Sequence, residues 1–306
     1  MSSSRPRESD PIAPYRRRLL GLAYRMLGSR SDAEDVVQDA YLRFVGANDI
    51  RNPEAFLVTV VTRLCLDRLK SAKAQREIYV GPWLPEPVFD ADGLSTEAAT
   101  ELADDLSFAL LLALDRLSPQ ERAAFLLHDV FDIPFSEIAA MIERSEPACR
   151  QLATRARRAV RHERPVPAAT DSHAHLLQAF LEAVGSGDLS QLTGLLREDA
   201  VAVTDGGGRK SAALNPIYGA DKVARFFISV AGKAKATGQD IRIEPAVING
   251  GIGALLYLDG ELDHSLSIGI DGERIAAIYL VRNPDKLRHA PSSIPDQTSA
   301  GDERTG

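Results

Sequence analysis

Cysteine is scarce in this 306-residue chain: only Cys65 and Cys149 occur. Both fall in segments of helical pattern and neither has metal-ligand spacing. That excludes a disulfide framework or a Cys-rich metal centre and predicts buried thiols in a reducing compartment. Long apolar runs are also missing. The longest, Phe108 to Leu114, is far too short to span a bilayer, and Arg16-Arg17-Arg18 interrupts the first apolar residues. Neither a membrane span nor a signal peptide is expected, which predicts a soluble, cytoplasmic protein. A basic excess is lacking too: the net charge is −7. The basic residues are clustered, however, so overall acidity does not exclude nucleic acid.

The clustering is sharpest in Ile133–Arg161, which reads as two short helices joined by a tight turn. Ser136, after Phe135, is expected to cap the first helix, whose Ile138, Ala139 and Ile142 recur at helical spacing. Ser145 is a second cap candidate, and Pro147 is tolerated in a first turn. Ala148, Leu152, Ala156 and Val160 form an apolar stripe. Arg144, Arg150, Arg155, Arg157, Arg158, Arg161 and Arg164 face only Glu146 and Glu163 as acids. The pattern suits a helix-turn-helix with its second helix in a DNA major groove. Arg150 and Gln151, near the start of that helix, are placed for base edges. Ser145, Arg155, Arg157, Arg158 and Arg161 are placed for the rest of the duplex, the arginines on phosphates. A solvated basic face on an ordinary helical hairpin is the alternative.

The chain divides into three modules. Residues 10–78 are helical: Leu19, Leu20, Leu22, Ala23, Met26 and Leu27 lead to a stop at Gly28. Ser31 or Asp32 is the expected cap of a second helix burying Val36, Val37, Ala40, Tyr41 and Phe44. Asn52-Pro53 opens a third. Residues 79–103, with Gly81, Pro82, Pro85, Pro87 and Gly93, read as a linker. Helices return over 104–164, with a start at Leu117-Ser-Pro-Gln-Glu, before a second linker at 165–170. Residues 171–287 open with a helix (Ala174–Val184) followed by strand-like alternation at Ala200–Thr204, Ile241–Ile248, Ala254–Leu258, Leu262–Ile270 and Ile275–Val281. That predicts an α+β domain with a curved antiparallel sheet. Residues 288–306 read as a disordered tail.

Within the first module, Glu34, Asp35, Gln38 and Asp39 line one polar helix face, and the third helix ends in Arg63, Arg68, Lys70, Lys73 and Arg76. Each alone is consistent with a solvated surface. In order, an acidic-faced helix, a basic helix, a proline-rich linker and a helix-turn-helix resemble a sigma-70-family RNA polymerase sigma factor of the extracytoplasmic-function (ECF) group, with sigma regions two and four. The resemblance implies that Asp32–Phe44 binds polymerase through Glu34, Asp35, Gln38 and Asp39. It implies that Asn52–Glu77 melts and reads the minus-ten element through Arg63, Arg68, Lys70, Lys73 and Arg76. Leu117–Arg161, with Glu137-Ile-Ala and Arg155-Ala-Arg157, would read the minus-thirty-five element. Phe56 stands where the family often has tryptophan, Arg63 where asparagine is common, and Glu143-Arg144 where glycine is frequent.

Residues 171–287 resemble a SnoaL-like domain, a cone of curved sheet closed by helices. Trp83-Leu84-Pro85-Glu-Pro87, Asp205-Gly206-Gly207-Gly-Arg-Lys210 and Asn283-Pro284-Asp285-Lys-Leu287 resemble motifs of an ECF subgroup carrying this extension, which implies regulation of the sigma core in cis. Trp83, the sole tryptophan, is placed to anchor the linker in a pocket. Asp205, Asp263 and His264 are the candidate acid–base groups. Strand alternation is expected to put Asp263 and His264 on opposite faces, and Asp205-Gly-Gly-Gly reads as a turn. The fold class expected is therefore multidomain: two all-α modules followed by an α+β cone. The function expected is transcription initiation with core RNA polymerase and promoter DNA, without catalysis, metal or cofactor. A small-molecule ligand of the C-terminal domain is left open. The rivals are a helix-turn-helix regulator with a ligand-binding domain and a DNA-tethered SnoaL-type isomerase or hydrolase.

Overall fold

The computed structural model describes residues 10–77, 79–89, 106–163 and 170–291. Helix α1 (Ala13–Leu27) ends at Gly28, whose φ of 71° is left-handed and whose N–H reaches the Tyr24 carbonyl. Helix α2 (Arg30–Val45) is capped by Ser29, upstream of the expected Ser31 or Asp32; Ser29 Oγ accepts from the Asp32 N–H at 3.1 Å. The chain leaves the Gly28 stop already in position for a cap, so α2 starts as early as it can. Helix α3 (Pro53–Glu77) starts at Asn52-Pro53, with Asn52 Oδ1 accepting from the Ala55 N–H.

After residues 90–105, which lie outside the described segments, come α4 (Phe108–Asp115) and α5 (Pro119–Phe125). Ser118 and Glu121 close a reciprocal capping box at the start of α5. A π-helical turn (Leu126–Val130) follows, then α6 (Phe135–Ile142) and α7 (Glu146–Glu163). Pro134, not Ser136, precedes the first residue of α6 and makes no side-chain cap. Helices α1 to α7 share one apolar core, in which Leu22, Val37, Leu57 and Val61 join Leu126, Ile138, Cys149 and Ala153. Arg122 crosses this core with 4% exposure, donating to the Met26 carbonyl at 2.6 Å and to Asp115 at 3.0 Å. Burial pushes its pKa down to about 10, so it stays charged at neutral pH.

The C-terminal body comprises α8 (Thr170–Ser186), α9 (Leu189–Leu195), β1 (Leu196–Asp205), β2 (Ile217–Tyr218), α10 (Ala220–Ala236), β3 (Ile241–Ile248), β4 (Gly251–Leu258), β5 (Glu261–Asp271) and β6 (Arg274–Val281). The predicted strands are all present, but α9, β2 and α10 were not anticipated. The sheet order is β2-β1-β6-β5-β4-β3. It is mixed rather than antiparallel throughout, because β6 returns beside β1 in the same direction. Alternation reveals a strand but not its direction.

The two sheet faces have different covers. Helices α8 to α10 pack Leu176, Phe180 and Phe227 on Leu266, Ile268, Ile278 and Leu280. The opposite face, with Tyr257, Ala277, Tyr279 and Val281, is covered by Leu84, Phe108 and Leu287. Phe108 stacks on Tyr279 at 5.3 Å between centroids. Residues 79–89, read from sequence as a linker, are thus packed chain: Leu84, Pro85, Glu86, Pro87 and Val88 are all buried. Of the predicted tail, residues 292–306 lie outside the described segments.

One side chain meets all three modules. Asn249, in the β3–β4 turn, donates from Nδ2 to Tyr24 Oη at 2.7 Å and to the Leu106 carbonyl at 2.9 Å, and accepts from the Val88 N–H at 3.1 Å. Its own N–H donates to the Val88 carbonyl. Asn249 has φ 54°, which glycine also tolerates, so Asn249→Gly removes the side-chain bonds without adding backbone strain. That substitution is expected to cost about 2 kcal/mol, the scale of several buried hydrogen bonds lost together, read as a melting-temperature fall of several degrees in the full chain.

Candidate nucleic-acid interface and the junction behind it

Glu143 makes the turn between α6 and α7 in the left-handed region, φ 56°, with its N–H on the Ala139 carbonyl. Ser145 fulfils its expected role, accepting from the Ala148 N–H at 3.4 Å. The buried seam of α7 is Cys149, Ala153, Ala156 and Val160: Ala156 and Val160 are as predicted, whereas Cys149 and Ala153 replace Ala148 and Leu152, which are partly buried beside them. Arg150, Gln151, Arg155, Arg158 and Arg161 are exposed. Arg150 is held on two sides: Glu146 lies 2.5 Å away and the Phe135 ring 4.8 Å below the guanidinium. Arg157 differs from expectation. It is turned inward and bound to Asp129 at 2.7 Å, so its guanidinium is occupied by a carboxylate. Arg164 lies outside the described residues.

On α2, Glu34 is paired with Arg30, whereas Gln38 points to solvent. Asp35 and Asp39 share their face with Leu42 and Val45, both about 60% exposed. Sequence reasoning missed these two; their signal is that they fall out of register with the buried Val36, Val37 and Ala40. The basic end of α3 is not a free cationic surface either. Arg63 donates to the Ala140 and Met141 carbonyls at 3.1 and 3.2 Å, and Glu143 lies 3.6 Å away. Those carbonyls end α6, where helical acceptors lack partners and the dipole favours a cation. Arg68 reaches Asp32, Asp35 and Asp39 on α2. Lys70 pairs with Asp67 at 2.8 Å. Lys73 and Arg76 lie on α3 beyond the residues whose side chains are described.

The three short motifs meet at Asp205. Its carboxylate is 0% exposed and accepts from Tyr79 Oη (2.6 Å), Lys286 Nζ (2.7 Å), the Leu84 N–H (2.9 Å) and the Gly207 N–H (3.0 Å). Its carbonyl accepts from the Arg282 and Asn283 N–H groups. Burial, then the bond to Asp205, pushes the Tyr79 phenol well up. Lys286 also donates to the Leu84 carbonyl at 2.5 Å and stands 4.5 Å over the Trp83 ring. The ring tip of Trp83 lies 2.6 Å from where a Cβ on residue 28 would sit, so only glycine fits there. A Cβ on Gly207 would similarly meet the Asn283 amide at 2.2 Å. Pro284 and Asp285 form the short turn after Asn283, whose Oδ1 accepts from the Asp285 N–H. Pro85 is buried beside Glu86, whose carboxylate accepts from the Arg30 and Ser31 N–H groups and so closes the start of α2.

Asp263 and His264 do not sit on opposite faces. The β4–β5 register shifts between Leu256 and Tyr257, opposite Asp263, and the bulge brings His264 Nδ1 to 2.8 Å from the Asp263 carboxylate. Asp263 also binds Lys210 and Arg282, each at 2.9 Å. Burial would raise its pKa, but hydrogen bonds from His264, Arg282 and Lys210 outweigh that and hold it well below the ordinary carboxylate range. Burial pushes the His264 imidazole down. A cleft of about 620 Å³ opens between Trp83, α4 and the sheet, lined by Leu112, Val201 and Tyr279 among others. None of Asp205, Asp263 or His264 lines it. These groups are arranged as internal ion pairs, not as an acid–base pair facing a cavity. Among the described residues no His/Cys/Asp/Glu cluster could hold a metal, and no helix is long and apolar enough to cross a membrane.

Comparison with known proteins agrees with this layout. Family models for sigma-70 region 2 and sigma-70 region 4 match residues 12–75 and 107–160. The chain is 37% identical over 295 residues to the ECF RNA polymerase sigma factor SigJ of Mycobacterium tuberculosis, covering 93% of this chain and 94% of the relative. It is 32% identical to the probable ECF RNA polymerase sigma factor SigI of the same species, covering 92% and 96%. The crystal structure of M. tuberculosis SigJ superposes with a TM-score of 0.73 at 34% identity, over 92% of this chain and 98% of that one.

The Asp263 cluster yields a pH dependence. A carboxyl whose folded pKa is depressed contributes stability above its unfolded pKa of about 4, and loses it as pH falls below that value. The melting temperature of the native chain is therefore expected to fall more steeply between pH 5 and pH 2 than that of Asp263→Asn. Parallel melting curves would show that the cluster contributes nothing.

Proposed function

Because the chain belongs to the ECF group of sigma-70-family RNA polymerase sigma factors, we propose that its C-terminal domain governs, in cis, when the two promoter-binding modules can be used. As a sigma factor the chain is not an enzyme. It binds core RNA polymerase and promoter DNA and directs initiation at specific promoters, which places its work in the cytoplasm.

The roles we assign follow the exposed surfaces, and for Lys73 and Arg76 the sequence alone. The α2 face bearing Glu34, Asp35, Gln38 and Asp39 docks on polymerase, with Leu42 and Val45 adding apolar contact. Arg150 and Gln151 read base edges of the upstream element; Arg150 is pre-oriented by Glu146 and Phe135. Arg155, Arg158 and Arg161 hold phosphates, with Ser145 at the helix start. Arg63, Lys70, Lys73 and Arg76 serve the minus-ten element. The domain limits that go with these roles are 10–78 and 104–164 for the sigma modules and 171–287 for the regulatory domain.

A single observation carries the regulatory reading: Arg63, on the helix assigned to the minus-ten element, is bonded to the end of α6 in the helix-turn-helix. The two elements are about 25 base pairs apart, roughly 85 Å at 3.4 Å per step. Two modules in hydrogen-bond contact cannot grip both at once. The arrangement is therefore a closed one that must open on polymerase, and Asp205 and Asn249 tie the C-terminal domain to its joint. Each module's grip is weak alone, and tethering on one holoenzyme raises the effective concentration of the second contact. A helix-turn-helix regulator acting without polymerase leaves the α2 face without a partner.

Run-off transcription with purified core polymerase tests the reading. Core plus this chain is expected to yield promoter-specific transcript, whereas the chain alone gives a weak footprint or none. Truncations after Arg164 and after Leu287 are expected to differ in output from the full chain and from each other. Unchanged output without residues 171–306 would overturn cis regulation.

A further inference from the structure

Among the members of the predicted minus-ten set whose side chains are described, Arg68 is the one that points back onto α2. Its Nη1 donates to Asp32 Oδ1 at 3.1 Å and to the Asp32 main-chain carbonyl at 3.2 Å. The same guanidinium lies 3.6 Å from Asp35 and 3.7 Å from Asp39. The bond to a backbone carbonyl fixes the group to α2 itself, independently of the carboxylates. The three acids lie three and four residues apart along one helix face, a spacing at which like charges repel. One planar guanidinium among them offsets that repulsion and restricts their rotamers. At 3.6 and 3.7 Å the contacts to Asp35 and Asp39 are longer than direct hydrogen bonds, and the two carboxylates remain 71% and 50% exposed. Their oxygens stay available to an outside donor.

We infer that Arg68 is a positioning residue of the polymerase-binding face and not a DNA contact: it presents Asp35 and Asp39 to a cationic, hydrogen-bond-donating surface of core RNA polymerase. The inference rests on the assignment of the α2 face to polymerase made above. It also separates two neighbouring arginines of α3 by contact: Arg63 meets the end of α6, while Arg68 turns to α2.

The test uses the full chain and core polymerase, with Arg68→Gln, Arg68→Lys and the double variant Asp35→Asn/Asp39→Asn. Arg68→Gln is expected to raise the Kd for core about fivefold, since exposed ion pairs are individually weak and three are lost together. The salt dependence of binding should change with it. Arg68→Lys keeps the charge without the fork and is expected to recover part of the loss. At saturating core, promoter melting followed by permanganate reactivity should equal that of the native holoenzyme. Matching melting temperatures for the Lys and native chains separate positioning from loss of fold. An unchanged Kd with Arg68→Gln, or normal Kd with reduced melting of promoter DNA, overturns the inference. If the double aspartate variant also binds core normally, the polymerase face itself is wrongly assigned and Arg68 falls with it; if it binds poorly while Arg68→Gln does not, only Arg68 is wrong.

Discussion

A buried carboxylate needs partners, and Asp205 has them from every direction. Stripping a charge of water costs several kcal/mol, which is recovered only when donors surround it in good geometry. Here the donors come from three separate stretches of chain: Tyr79 and the Leu84 N–H from the segment after α3, Lys286 from the turn after β6, and the Gly207 N–H from its own loop. Removing any one leaves the others facing an under-compensated ion. The residues from 79 to 89 are therefore held in place by electrostatics, and through them the C-terminal domain is fixed against the helical body. Glu86, three residues beyond Trp83, extends that hold to the first turn of α2.

The helical body is bound together by a different force. Regions matched to sigma regions two and four do not merely touch but share an apolar core, with Arg122 bridging from α5 to the end of α1. Each large apolar side chain drawn out of such a core forfeits about 1.5–3 kcal/mol. Opening of the modules, as proposed above, would need a partner that offers comparable burial. Nonpolar packing holds the modules together, while Arg63 and Asn249 add directional contacts between them.

Much of this is legible in the amino-acid sequence. The stop at Gly28, the starts at Asn52-Pro53 and Leu117, five strands and the helix-turn-helix were all readable, because capping chemistry and hydrophobic period are local. Helix α10 was legible but overlooked: Val223, Ala224 and Phe227 recur at helical spacing behind Gly219. The β2 strand, two residues long, carries no periodic signal at all. The convergence of the Trp83, Asp205 and Asn283 motifs was anticipated only as a shared regulatory role by resemblance. Nothing local says that a tyrosine at 79 and a lysine at 286 will meet one carboxylate.

What the amino-acid sequence determined by itself was the kind of parts: an acidic helix, a basic helix, an arginine-rich recognition helix, a sheet domain, and their order. Partner choice was decided by tertiary structure. Arg157 goes to Asp129, Arg63 to the end of α6 and Arg68 to α2, although all three look alike in sequence as exposed cations. Asp263 and His264 meet because a bulge breaks the alternation that would have parted them. The physical reason is the same in each case. Helix and strand formation depend on neighbours a few residues away, whereas a charged side chain takes whichever opposite charge or carbonyl the folded chain brings within about 3 Å.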